Sequence, residues 1–326
     1  MGIRRVVAYG LAVLMVTLLG TQVAWGRDWF SDKYLYLYGA AGWDYDSNAS
    51  QKPFDPVAAA TVRGKDAATY MQNAKIGYRI NPDGPWDLET TYEYYQNFHA
   101  SHPEGLYDTL IHTIGLNPSY LMGSTKFYLP FYFNYTDVAS SKYATSYRLT
   151  PTVFHRFSEK WGVEGGMNLA RDYAVTPLTL SQYDRSGRMI GGLLGVYYFI
   201  PNDKGYVQTR FSYDYFWGAG SSNNNTGSRI HLFANAVFKP RPKIALQGFI
   251  DLELQPYVNG YFDGVTTSSA RNDTILNLGA VVTYNITKRV GINGHYYFTR
   301  DWSNVSLYSF DRHMVGGLLT FTYGQL

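Results

Sequence analysis

The sequence predicts an all-β protein, a single transmembrane antiparallel β-barrel of about 14 strands, and three observations lead to this fold class. Polar and apolar residues alternate in segments that restart roughly every 20 residues between Tyr34 and Tyr323. Aromatic residues make up 17% of the chain, as expected where aromatic girdles flank the apolar band of a barrel. Residues 27–326 contain no apolar run of about 20 residues, so a closed sheet rather than helices must cross the bilayer. A soluble β-sandwich would also alternate, but it accounts less well for the aromatic density and the strand lengths.

The first 26 residues have the pattern of an export signal. Arg4 and Arg5 precede an apolar run over residues 6–19, and Ala24 and Gly26 are the small residues that a signal peptidase reads. We expect residues 1–26 to be removed and residues 27–326 to form one barrel domain. Because the chain has 0 Cys, the mature N-terminus is not expected to carry a lipid. The expected location is the outer membrane of a Gram-negative bacterium.

The alternation predicts each strand in turn. Around residue 234, for example, Ile230 and Leu232 fall on one face, while His231 and Asn235 fall on the other. The first face suits lipid, and the second suits a wet lumen. The predicted strands are 33–44, 69–81, 86–98, 108–121, 126–138, 145–157, 162–172, 189–200, 206–217, 228–239, 244–257, 274–286, 290–300 and 312–323.

The connections between these strands alternate in length, which is typical of barrels with short periplasmic turns and long extracellular loops. Short turns are predicted at 81–85, 122–124, 158–161, 201–204, 239–243 and 287–289. Long loops are predicted at 45–68, 175–188, 218–227, 259–273 and 301–311, and the link at 139–142 is a short exception on the long side. The alternation places both chain ends in the periplasm.

Residues on the lumen face can be paired across the short turns, either charge with charge or glycine with a large side chain. The predicted partners are Arg79 opposite Asp87, Lys75 near Glu89 and Glu93, Arg156 opposite Glu164, Gly195 opposite Arg210, Gly191 opposite Asp214, Gly279 opposite Tyr297, Arg229 opposite Glu253, and His231 opposite Asp251. The glycines are expected to leave room for long lumen side chains.

These pairs define the candidate site, here called the lumen set. Its members are Lys75, Arg79, Asp87, Glu89, Glu93, Arg156, Glu164, Arg210, Asp214, Arg229, His231, Asp251 and Glu253. One interpretation is that the pairs fix strand register. The other is a selectivity surface, in which charges of both signs act on a passing solute. The two interpretations are compatible.

The segment 296–304 and the last strand, from His313 to Tyr323, resemble bacterial outer-membrane porin-like barrels. They are also similar to the barrel of surface lipoprotein assembly modifiers, which help lipoproteins reach the cell surface. Gly316, Leu319, Phe321 and Tyr323 resemble the signal read by the barrel-assembly machinery, although the chain ends on Gly-Gln-Leu rather than on Phe. The resemblance implies outer-membrane lipid, lipopolysaccharide, the barrel-assembly machinery and small solutes as partners.

Other classes of function find little support in the sequence. His231 beside Asp251 could form a hydrolytic base, but no serine stands in a convincing arrangement with them. His99, His102 and Glu104 could bind metal weakly, although they lack the framework of a metal site. A net charge of +3 does not suggest nucleic acid, and no cofactor motif is present. We therefore expect a non-enzymatic diffusion channel for small hydrophilic solutes, with an export or lipoprotein-translocation barrel, or a structural or adhesin barrel, as the alternatives.

Overall fold

The computed structural model describes residues 31–48, 66–100, 108–139, 141–174, 186–219, 226–262 and 267–324. The predicted signal peptide lies outside the described residues, as do His102 and Glu104. Among the described residues, no helix is long and apolar enough to cross a membrane.

The described chain is built almost entirely of β-strands. Their bounds are β1 Leu35–Asp46, β2 Ala67–Arg79, β3 Trp86–His99, β4 Thr109–Met122, β5 Thr125–Tyr128, β6 Phe131–Val138, β7 Ser141–Leu149, β8 Thr152–Arg156, β9 Trp161–Ala174, β10 Gly187–Ile200, β11 Gly205–Gly218, β12 Gly227–Arg241, β13 Ile244–Phe262, β14 Thr267–Asn285, β15 Val290–Ser303 and β16 Phe310–Tyr323. A single 3₁₀ turn, Ser306–Tyr308, precedes β16.

The sheet closes into a barrel because β1 pairs with both β2 and β16, and every pairing is antiparallel. β5 and β6 together form one wall strand next to β4, and β7 and β8 form the next one, next to β9. The two breaks lie at Pro130 and Pro151, which lack the N–H that a continuous ladder needs. Counting each interrupted pair once, the wall has the 14 strands that the sequence predicts, so this prediction is confirmed.

Short turns gather at one end of the barrel, and long connections gather at the other. We call them the short-turn end, where β1 begins and β16 ends, and the long-loop end. The turn between β10 and β11 has Asn202 at φ 61° and Asp203 at φ 55°, the left-handed conformations of a tight hairpin turn. One predicted loop is wrong: much of 259–273 is strand, because β13 and β14 continue to Phe262 and from Thr267. Irregularities around Pro256 and Gly260 absorb the turn-like residues that suggested a loop.

The outward face of the wall is apolar and exposed. Leu194, Ile250 and Leu319 are 66%, 52% and 59% exposed in the isolated chain, as lipid-facing side chains are. Exposed tryptophans mark both rims, for example Trp86 at the short-turn end and Trp43 at the long-loop end. Their positions are typical of the two aromatic girdles at the membrane interfaces.

The observed register confirms some predicted pairs and corrects others. Gly195 lies opposite Arg210, Gly191 opposite Asp214, and Gly279 opposite Tyr297, as predicted. Three other hairpins are shifted by two residues: His231 lies opposite Glu253, Arg79 opposite Glu89, and Arg156 opposite Gly162. In the first hairpin an irregularity between Phe238 and Arg241 displaces the register, and in the other two the turn is centred one residue from the predicted position. Because a two-residue shift preserves the face, the inward or outward orientation of these residues is unaffected.

Candidate functional site

The inner face of the barrel is identified by side chains that bridge strands which are not neighbours. Neighbouring strands lie about 4.8 Å apart, so a side chain that reaches over an intervening strand must lie on the concave side. Glu164 on β9 and Arg210 on β11 meet in this way across β10, with Arg210 Nε 2.6 Å from Glu164 Oε1. Asn168 Nδ2 donates to Asp214 Oδ1 at 2.8 Å across the same strand. These residues therefore line the lumen.

Each of these bridges passes over a glycine. A Cβ at Gly195 would lie 2.5 Å from Glu164 Oε1, and a Cβ at Gly191 would lie 1.9 Å from Asp214 Oδ1. Neither distance leaves room for a side chain. Because the glycines of β10 have no side chain, Glu164 of β9 can reach Arg210 of β11, and Asn168 of β9 can reach Asp214 of β11.

Two further glycines act in the same way and were not singled out for this role by sequence reasoning. The Tyr36 hydroxyl on β1 donates to Glu89 Oε1 on β3 at 2.6 Å, and a Cβ at Gly77 on β2 would lie 2.1 Å from Tyr36 Cζ. Asp44 on β1 lies 2.8 Å from His295 Nε2 on β15, with Gly316 of β16 between them. The sequence pattern that indicates such a contact is an inward glycine on a strand whose two neighbours both carry inward polar side chains.

The lumen set on β2 and β3 forms a ladder near the short-turn end. Arg79 makes an ion pair with Asp87 at 2.7 Å, diagonally across the hairpin. Lys75 lies opposite Glu93, which accepts a hydrogen bond from Asn73 Nδ2 at 2.7 Å. Glu89 is held by Tyr36 and, at 3.0 Å, by Asn117 Nδ2. Each carboxylate on this side is therefore occupied by a donor from a neighbouring strand.

A second group of the lumen set lies farther from the short-turn end, on β11, β12 and β13. His231 places Nδ1 3.7 Å from Asp251 Oδ1 and Nε2 3.3 Å from Glu253 Oε1. The Arg229 guanidinium lies 4.9 Å from the centre of the Phe216 ring. The charged residues of this group, Arg210, Asp214, Arg229, His231, Asp251 and Glu253, line a cavity of about 400 Å³ that Arg148 on β7 also lines.

The predicted pair between Arg156 and Glu164 is wrong. Glu164 instead pairs with Arg210 and also accepts a hydrogen bond from the Tyr197 hydroxyl at 3.0 Å. Arg156 donates to the carbonyl oxygens of Ser158 and Glu159 in the adjacent turn, and its guanidinium lies 4.6 Å from the centre of the Phe199 ring. Arg156 is thus an exposed residue of the short-turn end rather than a partner of Glu164.

Aromatic residues line the lumen in a way that sequence reasoning missed. A cavity of about 480 Å³ lies toward the short-turn end, and we call it the aromatic chamber. It is lined by Glu89, Asn117, Tyr128, Pro130, Tyr132, Thr152, Phe154, Glu164, Tyr197, Phe199 and Tyr206. The sequence analysis assigns the aromatic residues to the girdles. Tyr197 and Phe199, however, share a face of β10 with Gly195, which lies opposite the inward Arg210, so the period of two places both rings inside.

The histidines singled out from the sequence are held by carboxylates in the described part of the chain. No three acidic, histidine or cysteine side chains converge there closely enough to chelate a metal ion. His99 Nδ1 lies 3.1 Å from Asp108 Oδ1, so this histidine is held by a carboxylate of its own hairpin. His231 is similarly shared between two carboxylates.

The closed 14-strand wall, its exposed apolar outer face and its polar inner face define the class of this chain, a transmembrane antiparallel β-barrel. No family model and no curated protein sequence matches it.

Among solved structures, the chain is similar to OccAB3 of Acinetobacter baumannii at 8% identity and TM-score 0.48, covering 89% of this chain and 99% of that one. It is similar to the outer-membrane channel DcaP of the same organism at 10% identity and TM-score 0.47, covering 89% and 97%. It is similar to OprB of Pseudomonas putida at 8% identity and TM-score 0.47, covering 90% and 95%. At such identities these matches say nothing about substrate.

Proposed function

We propose that the protein is a passive channel, without enzymatic activity, for small hydrophilic solutes. The observation that carries this proposal is the charged inner face, where side chains of both signs line a cavity of about 400 Å³. A filled barrel core would be expected to hold interlocking side chains there. A wall of 14 strands exceeds the eight at which side chains fill the interior and falls below the 16 to 18 of wide porins, so a constricted aqueous path is expected.

Paired charges suit a lumen that discriminates among solutes by local fields. The Arg210–Glu164 pair and the His231–Asp251–Glu253 group present donors and acceptors on the same stretch of wall. A polar solute passing that wall could exchange hydrogen bonds with water for hydrogen bonds with the protein. The aromatic chamber adds ring faces below, which narrows the choice of solute further.

The experiment is reconstitution of the purified barrel in planar bilayers and in solute-loaded liposomes. We expect stepwise conductance and swelling in small sugars above that of protein-free controls. The matched variants are Ser212→Trp, which adds bulk on the inward face of β11, and Phe211→Trp, which changes the exposed outward face. Only Ser212→Trp should lower conductance.

A correctly folded, heat-modifiable barrel that neither conducts nor swells liposomes would overturn the channel proposal. That result would leave surface export or a structural role as the explanation. Equal loss of conductance in both tryptophan variants would show that added bulk on the inward face of β11 does not specifically obstruct the conducting path.

A further inference from the structure

Three inward carboxylates on neighbouring strands form a cluster toward the long-loop end, outside the aromatic chamber. They are Glu253 on β13, Asp273 on β14 and Asp301 on β15, here called the mouth cluster. Glu253 and Asp301 both lie opposite Ile275, and Asp273 is two residues away on the same face of that strand. Asp273 is thus a diagonal neighbour of both Glu253 and Asp301, and diagonal neighbours on one face of a sheet are about 7–8 Å apart.

The cluster is short of positive charge. Arg271 Nε lies 3.0 Å from Asp273 Oδ2, and His231 lies 3.3 Å from Glu253. Asp301 makes no ion pair within the described residues. The second oxygen of Asp273 and one oxygen of Asp301 have no hydrogen-bond partner among those residues, although the two residues are only 5% and 7% exposed. A buried carboxylate without a donor is costly, so a bound donor would relieve this arrangement.

The spacing of these groups favours an organic cation over a metal ion. The described residues bring no three metal-binding side chains together. An ammonium or guanidinium group carries several N–H donors and can bridge separated carboxylates by hydrogen bonds without close convergence.

The surroundings already hold a cation of this kind. The Arg271 guanidinium lies between the Tyr257 and Tyr308 rings, 4.0 Å from the centre of each. Ring faces attract cations, and guanidinium groups stack on them well. Arg271 thus shows that this neighbourhood pairs a guanidinium group with both a carboxylate and aromatic faces.

We propose that the mouth cluster binds solutes that carry a primary ammonium or guanidinium group, which makes organic cations a preferred substrate class. This inference rests on the proposed channel function. Below the cluster, the aromatic chamber contributes ring faces beside Glu89 and Glu164. An organic cation with an apolar portion thus meets carboxylates first and ring faces afterwards.

The test uses n-butylammonium as the probe, added to the reconstituted barrel while single-channel current is recorded. We expect brief, concentration-dependent blockade by butylammonium and none by butyrate at the same concentration. Asp301→Asn and the double variant Asp273→Asn with Asp301→Asn should weaken blockade at least tenfold. The control is Asp311→Asn, because Asp311 lies opposite Arg300 on the outward face near the same rim.

Unchanged blockade in the asparagine variants would overturn the inference while leaving the channel in place, as would equal blockade by butyrate. Stronger block by Ca²⁺ than by butylammonium would also overturn it, since the ligand would then be a metal ion. If the wild-type barrel does not conduct, the channel proposal fails. Calorimetric titration in detergent then decides the site: butylammonium binding that is lost in Asp301→Asn supports the cluster, and absence of binding overturns it.

Discussion

At the scale of single residues, inward glycines determine which charges can meet. Gly191 and Gly195 let side chains from β9 and β11 cross β10, while Gly77 and Gly316 do the same for β2 and β16. Replacing the hydrogen of any of them with a methyl group would push a polar side chain from its partner. The glycines are therefore as much a part of the lumen chemistry as the charges.

Gly195→Ala tests this role directly. The new Cβ would lie 2.5 Å from Glu164 Oε1 and displace that carboxylate from Arg210. Overpacking of this kind costs about 1–3 kcal/mol. The measurement is the free energy of unfolding in detergent. The folded fraction is read from the difference in gel mobility between the folded and the unfolded barrel.

The matched control is Gly192→Ala, three residues away on the opposite face. Its Cβ would meet no atom closer than 3.6 Å, so stability should be unchanged. If both variants are equally stable, the inward glycines are not crossing points.

The sequence predicts the orientation of residues better than their partners. Orientation needs only the period of two, which the register shifts did not disturb. Partners depend on turn geometry, so Arg156 was matched with Glu164 although the structure gives that carboxylate to Arg210 on a more distant strand. Contacts across an intervening strand, such as that of Tyr36 with Glu89, depend on barrel curvature, which no single hairpin reveals.

At the scale of elements, the strands could be predicted because alternation is a local property. Every predicted wall strand is present, and the interruptions at Pro130 and Pro151 fall inside two of them. The extension of β13 and β14 could not be read in the same way, since Pro256 and Gly260 look like turn residues until bulges accommodate them.

Opposite faces of neighbouring strands should respond differently to a charge. Ile250 on β13 is outward and 52% exposed, whereas Asn277 on β14 is inward and lies opposite Asp251. Ile250→Arg should destabilise the inserted barrel by about 2–4 kcal/mol, the cost of Arg facing the lipid midplane. Asn277→Arg should be tolerated because water and Asp251 surround the new charge. Equivalent insertion of the two variants, measured by folding into lipid vesicles, would contradict the assigned faces.

At the scale of the whole molecule, the alternation of turn lengths predicts how the barrel is oriented in a membrane. The short-turn end carries both ends of the wall, at Leu35 and Tyr323. Short turns face the periplasm in outer-membrane barrels, so we expect the long-loop end and its mouth cluster to face outward.

This orientation predicts which insertions are reached from outside the cell. A protease site inserted at residues 221–227 should be cut on intact cells, because that segment connects β11 and β12 at the long-loop end. A site inserted after Thr287, between β14 and β15, should be protected until the outer membrane is permeabilised. The opposite pattern of cleavage would invert the topology and place the mouth cluster in the periplasm.

The central claim is that the charged inner wall borders a conducting path, and the reversal potential of single channels in a KCl gradient tests it most directly. Arg210→Glu should shift the potential toward cation preference, and Asp251→Lys should shift it toward anion preference, because fixed charge in a pore biases which ion enters. Exchanging the partners, in Glu164→Arg with Arg210→Glu, keeps the net charge and should leave the potential near that of the wild type. Identical reversal potentials in all of these folded variants would show that current does not pass this wall, and would contradict the account.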